Sequence, residues 1–60
     1  MYKLKDIVKA KNPALPFTME VVSINEELQL LNCVFCYSGR KAGVFGFDEV
    51  TLCERSGERQ

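Results

Sequence analysis

Hydrophobic and polar residues alternate along most of the chain and do not recur at helical spacing. A period of two is typical of β-strands that place one face against a core. The pattern predicts five strands, over residues 7–11, 17–25, 28–37, 44–47 and 51–54. The third predicted strand is the longest apolar run, and one of its faces carries Leu31, Cys33, Phe35 and Tyr37. Apolar residues of this size are typical of a strand that is covered on both sides. A short helix over 24–33 is the alternative, because apolar residues at 24, 28 and 31 also fall at helical spacing.

Turn-forming residues separate the predicted strands. The segment 12–16 contains two prolines, which lack an N–H, so this segment cannot pair in a central ladder. Residues 25–27 form a polar turn, and 38–43 form a hairpin loop with two glycines available for positive φ. A single tight turn is expected over 48–50. Residues 55–60 are polar and charged, which predicts a flexible C-terminal tail.

Five short strands within 60 residues predict one small all-β domain, a five-stranded SH3-like barrel over residues 1–54. A chain of this length cannot fill two full sheets, and closure removes strand edges through which an apolar chain aggregates. Hydrophobic residues make up 47% of the chain, too many for a disordered protein. Phe35, Phe45 and Phe47 alternate on the predicted strands and are expected in the core.

Charge and cysteine content restrict the partners and the compartment. Eight basic and eight acidic residues balance, so no global field attracts nucleic acid or an anionic membrane. The chain has no apolar run of about 18 residues and no signal-peptide core at its start, which predicts a cytoplasmic protein without a membrane partner. Three cysteines are an odd number, which fits reduced thiols better than disulfides.

Several segments carry a family resemblance. They are Asp6–Lys11, Pro16, Met19, Val21, Cys33–Phe35 and Phe47–Leu52. Together they resemble the YodC-like family of small bacterial proteins of uncharacterised function, over about residues 4–54. The chain departs from that family at Asn12–Leu15, where a Ser-Gly-Gly turn is usual, and at Phe35, where Trp is common. The resemblance implies an SH3-like barrel in a bacterial or phage protein and implies no activity.

A weaker similarity links Val44–Phe47 to the pore-lining Val-Gln-Ile-Tyr segment of type II dihydrofolate reductases. The Gln and Tyr that would touch folate and nicotinamide are missing here, so that activity is not expected. The chain also has no His, the usual general base near neutral pH. Asp48 and Glu49 are adjacent and would point to opposite faces of a strand. These observations predict a protein that is not an enzyme and needs no cofactor.

Cys33 and Cys36 have the spacing of half a zinc site, and Cys53 could add a third thiolate. Zinc takes four ligands, and no His is present to supply the fourth. Residues three apart on a strand face opposite sides, so these two thiols should diverge. We therefore expect no metal, and expect Cys33, with Cys53 as a second candidate, to be a small buried residue.

Three binding hypotheses follow from the remaining side chains. The leading one is a protein partner bound in an aromatic-lined groove between the loops at residues 12–16 and 38–43, as in other SH3-like barrels. Its candidate residues are Leu15, Phe17, Tyr37 and Arg40. The alternative is that Leu15 and Phe17 have a structural role and cap one end of the barrel.

The second hypothesis is nucleic-acid binding through a lysine-rich first strand and the loop at residues 38–43, with aromatic rings as stacking surfaces. Its candidates are Lys3, Lys5, Lys9, Lys11, Arg40 and Lys41. The competing interpretation, which we favour because the net charge is zero, is that these lysines are solvated residues that protect a sheet edge. The third hypothesis is a homo-dimer that buries exposed apolar strand surface, which would help so small a core.

Overall fold

The computed structural model describes residues 2–58. It contains the strands β1 (Ile7–Ala10), β2 (Thr18–Asn25), β3 (Leu30–Phe35), β4 (Lys41–Gly46) and β5 (Val50–Glu54). Two 3₁₀ turns follow the last two strands, at Phe47–Glu49 and Ser56–Glu58. Because no α-helix occurs within residues 2–58, the prediction of an all-β fold is confirmed and the alternative of a helix over 24–33 is wrong. Residues 26–29 instead form a turn that ends at Gln29 with a φ of 55°.

All five strands belong to one antiparallel sheet in the order β4-β3-β2-β1-β5. Consecutive strands β1 to β4 form a meander, and β5 returns to pair with β1. In this part of the chain the edge strands β4 and β5 do not pair with each other. The sheet is therefore not closed into a barrel by hydrogen bonds.

The 3₁₀ turn at 47–49 joins the two edges of the sheet. The N–H of Phe47 donates to the carbonyl of Gln29 at 3.0 Å and extends the β3–β4 ladder. The N–H of Lys11 donates to the carbonyl of Glu49 at 3.0 Å and extends the β1–β5 ladder. In a flat sheet the outermost of five strands would lie roughly 19 Å apart, whereas a three-residue 3₁₀ turn advances only about 6 Å. The sheet is therefore strongly curled.

The core lies on the concave face of this curled sheet. Its buried side chains alternate along the strands: Val8, Ala10, Met19, Val21, Leu31, Cys33 and Val50. On β3 the neighbouring Asn32 is exposed, so the expectation of a strand covered on both sides is wrong, because only one layer packs against this sheet. Phe35, Phe45 and Phe47 are half-buried and pack at the margin of the core. Phe47 belongs to the 3₁₀ turn and not to a strand.

A β-bulge in β2 changes which residues face the core. The β2–β3 register shifts between Val21 and Ser23, and the two strands are paired again at Ile24 and Leu31. Val22 follows the buried Val21 and lies on the convex face with 48% of its surface exposed, whereas Ile24, beyond the bulge, packs against the core. A bulge inserts one residue into the alternation and so exchanges the faces of all residues that follow. Val21 and Ile24 therefore face the core, whereas Val22 does not.

A buried carboxylate anchors both ends of the described chain. Asp6 is fully buried, and its two carboxylate oxygens accept hydrogen bonds from the N–H groups of Lys3 and Ser56, each at 2.8 Å. Ser56, the second residue of the predicted tail of residues 55–60, is thus tied to Asp6 at the start of β1. Residues 59 and 60 lie outside the described part of the chain.

Candidate aromatic surface

Three aromatic side chains contact one another at one end of the sheet. The ring centroids of Phe17 and Tyr37 are 5.3 Å apart, those of Phe35 and Tyr37 5.4 Å, and those of Phe17 and Phe35 6.0 Å. Phe35 is half-buried, whereas Phe17 is 46% and Tyr37 70% exposed. These three residues are called the aromatic surface below. It presents two rings to solvent on a third ring that packs against the core.

Strand register explains why these rings meet. Met19 on β2 is paired with Phe35 on β3, and the N–H of Cys36 donates to the carbonyl of Thr18 at 3.1 Å just beyond that pair. Side chains two residues apart on a strand share a face. Phe17 therefore continues the core face of Met19, and Tyr37 continues that of Phe35. Both lie past the end of the core, where no further layer covers them.

The β3–β4 hairpin holds Tyr37 and Arg40 in a tight turn. The N–H of Phe35 donates to the carbonyl of Arg40 at 2.8 Å, and the N–H of Gly39 donates to the carbonyl of Phe35 at 2.7 Å. Gly39 has a φ of 74°, a left-handed conformation that glycine adopts without steric cost. The side chain of Arg40 is exposed and makes no ion pair with the described residues. One cation is therefore available within three residues of the most exposed ring.

The β1–β2 loop, which leads into Phe17, is held by its own hydrogen bonds. Its turn is closed by the N–H of Leu15 on the carbonyl of Asn12 and by the N–H of Ala14 on the Asn12 side-chain oxygen, both at 3.0 Å. Leu15 is half-buried and packs against the core. Of the four residues predicted for protein binding, Phe17 and Tyr37 are in contact, Arg40 lies in the same hairpin as Tyr37, and Leu15 has a mainly packing role.

The size of the aromatic surface limits what it can bind. An aromatic side chain buries about 150–250 Å² when fully covered. The exposed fractions of Phe17 and Tyr37 then correspond to roughly 200 Å² of open aromatic area. A standard protein–protein interface covers about 800 Å² on each partner. The aromatic surface therefore fits a short peptide segment better than the face of a folded domain.

The six basic residues predicted for nucleic-acid binding do not converge. Lys3 and Lys5 precede β1, Lys9 lies within it and Lys11 follows it. Arg40 and Lys41 belong to the β3–β4 hairpin, and strands β2 and β3 lie between them and β1. Acidic side chains are interspersed, since Ile7 on β1 is paired with both Glu20 and Glu54. The six residues therefore fall into two groups, one along β1 and one in the β3–β4 hairpin.

The cysteines lie in different environments. Cys33 is buried in the core, and this burial raises the pKa of its thiol to about 11. Cys36 is exposed, so the two thiols of the Cys-x-x-Cys segment diverge as the strand geometry predicts. Cys53 is exposed, which corrects the expectation that it could be buried, because Leu52 packs against the core and the next residue on the strand points to the opposite face. Within residues 2–58 no cluster of His, Cys, Asp or Glu is suited to hold a metal.

A second surface lies on the convex face and was not expected from the sequence. A depression of about 190 Å³ is lined by three valines, Val22, Val34 and Val44, together with Asn32, Cys33, Lys41 and Gly43. Val44 is 55% exposed. Alternation places Val22, Val34 and Val44 on the face opposite the buried Val21 and Cys33, and the strand order β2-β3-β4 brings them near one another. This row of valines is called the valine face below.

Comparison with known proteins does not assign the chain to a family. No protein-family model, curated protein or solved structure matches it. Over the residues that the structure describes, no helix is long and apolar enough to cross a membrane. The aromatic surface and the valine face are therefore the two features of the molecule from which we infer how it binds partners.

Proposed function

We propose that this chain is a non-enzymatic binding module that holds a short segment of a partner protein on its aromatic surface. The observation that carries the proposal is the contact among three rings, two of them 46% and 70% exposed. Tyrosine and other large aromatic residues are enriched among the residues that dominate binding energy at protein interfaces. Rings that already pack on one another lose little side-chain freedom when a partner covers them.

The partner segment we propose carries an apolar side chain next to an acidic one. An apolar anchor would cover Phe17 and Tyr37, and a carboxylate would lie near the exposed guanidinium of Arg40. Arg40 makes no ion pair with the described residues, so it is available for such a contact. An exposed charge of this kind contributes mainly to the rate of association and to specificity.

The fold we propose for this module is a partly open SH3-like barrel. Support comes from the five-stranded curled sheet and from the 3₁₀ turn that bridges its two edge strands. Membership of the YodC-like family is part of the same proposal and adds a fold without an activity. Nucleic-acid binding has less support, because it requires a continuous basic groove beside the stacking rings.

Selection from a random peptide library tests the proposal. Peptides enriched on the wild-type chain are measured by fluorescence anisotropy against the wild type and against Phe17→Ala and Tyr37→Ala variants. Each variant should bind at least about tenfold more weakly, since central aromatic residues often contribute more than that. Leu28→Ala is the matched control, because Leu28 is an equally open apolar side chain, 64% exposed, in the β2–β3 turn at the opposite end of the sheet.

Two outcomes would contradict the proposal. One is a library from which the folded wild-type chain enriches no peptide. The other is a selected peptide that binds the Tyr37→Ala variant as tightly as the wild type, since the aromatic surface would then play no part.

A further inference from the structure

Strand β4 has one edge without a neighbouring strand in the described sheet. Phe47 donates its N–H to Gln29, and the register pairs Phe45 with Leu31 and Gly43 with Cys33. In an antiparallel ladder, residues that bond to the neighbouring strand alternate with residues whose backbone groups point away. Val44 lies between two bonded positions, so its N–H and C=O point toward the free edge.

The valine face leads directly to this edge. Val22, Val34 and Val44 lie on the neighbouring strands β2, β3 and β4, with Asn32 of β3 directly opposite Val44, and the depression between them holds about 190 Å³. Val44, the outermost of the three, is 55% exposed. An apolar row that ends at an unpaired strand edge is typical of a site where a further strand can be added.

Charges at the two ends of β4 favour one particular partner strand. Arg40 and Lys41 lie at its beginning, and Asp48 and Glu49 follow its end. A second β4 in antiparallel orientation would place the basic end of each copy beside the acidic end of the other. This arrangement is self-complementary, as an interface with a twofold axis requires.

We propose that two copies of the chain pair antiparallel through β4, with the two Val44 residues opposite each other on a twofold axis. The pair would exchange backbone hydrogen bonds at Val44 and would extend the valine face across both copies. Arg40 and Lys41 of one copy would lie beside Asp48 and Glu49 of the other. This dimer leaves the three rings of the aromatic surface, on the concave side of the sheet, uncovered, and it shares only Arg40 with the proposed peptide site.

Two features limit the length of the pairing. The β3–β4 register shifts next to Lys41, and a bulge and a lysine are both devices that protect natural strand edges. At the other end, the N–H of Gly46 donates to the Glu49 carboxylate at 2.6 Å. The free stretch is therefore centred on Val44, and we expect a reversible dimer that forms at high protein concentration.

Sedimentation of the full chain tests the dimer, in the presence of a reducing agent because Cys36 and Cys53 are exposed. Between about 10 µM and 1 mM the wild type should shift from monomer to dimer, since association depends on concentration. Val44→Glu should weaken the dimer by about tenfold or more, because it places two like charges opposite each other. Thr51→Glu is the matched control, since it adds the same charge to an exposed position on the other edge strand, β5.

A charge exchange tests the orientation of the two strands. Asp48→Arg should weaken the dimer, and the double variant Arg40→Asp with Asp48→Arg should restore it. At high concentration, amide hydrogen exchange at Val44 should slow in the wild type and not in Val44→Glu. A native-like amide spectrum of Val44→Glu is the control that shows this variant to be folded. A chain that stays monomeric at 1 mM, or a dimer that Val44→Glu leaves intact, would overturn the proposal.

Discussion

Asp6 allows the contribution of one buried carboxylate to be measured directly. It is fully buried and accepts hydrogen bonds from the N–H groups of Lys3 and Ser56, each at 2.8 Å. A hydrogen bond to an ionised group contributes about 1.5–3 kcal/mol, so Asp6→Ala should lower the free energy of unfolding by about 3–5 kcal/mol. A domain of this size is stable by about 3–9 kcal/mol in total. The alanine variant should therefore lose a large part of this stability, and it should unfold if the total lies at the lower end of that range.

Asp6→Asn is the informative variant because it keeps the shape of the side chain. One amide oxygen still accepts a hydrogen bond, but the amide nitrogen faces the second donor, so we expect a loss of about 2 kcal/mol in urea unfolding at pH 7. Asp48→Asn, which alters an exposed carboxylate, is the control and should change stability by less than about 0.5 kcal/mol.

The pH dependence of stability checks the same contact independently. Burial opposes the ionisation of Asp6, but the hydrogen bonds from Ser56 and Lys3 and the charges of Arg55 and Lys3 outweigh it and lower its pKa. A carboxyl with a lowered pKa in the folded state stabilises the fold above its unfolded pKa of about 3.9. This stability is lost as the pH falls from about 5 through that value toward the lower folded pKa.

The wild type should therefore lose more stability than Asp6→Asn over this acid range. If the Asn variant were as stable as the wild type at pH 7 and showed the same loss in acid, Asp6 would not be the anchor that the structure indicates.

Two further predictions concern the core and the thiols. In urea unfolding, Leu31→Ala should lower the free energy of unfolding by about 3–4 kcal/mol and Phe35→Ala by only about 2 kcal/mol. The reason is that Leu31 is fully buried, whereas Phe35 is half-buried. A larger loss for Phe35→Ala than for Leu31→Ala would contradict this placement. A thiol reagent at pH 8 should modify Cys36 and Cys53 quickly and Cys33 only on unfolding, because burial raises the pKa of Cys33 to about 11; rapid modification of three thiols in the folded chain would refute it.

The all-β fold and the order of its five strands along the chain were predictable from the alternation of apolar residues. Leu31 and Cys33 follow that alternation and are buried as expected. Strand ends were less accurate, since β3 spans Leu30–Phe35 and not residues 28–37. Tyr37 was expected to share the covered face of that strand, but it is 70% exposed because the core ends before it.

Features that depend on bulges and on distant contacts could not be predicted. The packing of Ile24 against the core follows from the register shift in β2, which leaves no clear mark in the pattern of apolar residues. The role of Asp6 depends on Ser56, 50 residues further along the chain. The aromatic surface was predicted in part, because Phe17 and Tyr37 were singled out, whereas the contribution of Phe35 beneath them required the register of β2 and β3.

A two-dimensional amide NMR titration tests the central claim, that the aromatic surface binds a peptide segment. The isotopically labelled chain is titrated with a peptide selected from the library and, separately, with short single- and double-stranded oligonucleotides at low salt. We expect the peptide to shift the amides around Phe17, Phe35, Tyr37 and Arg40, and the oligonucleotides to cause no saturable shifts. Peptide shifts confined to other parts of the sheet would contradict the account, as would salt-sensitive oligonucleotide shifts along Lys3–Lys11 and at Arg40 and Lys41.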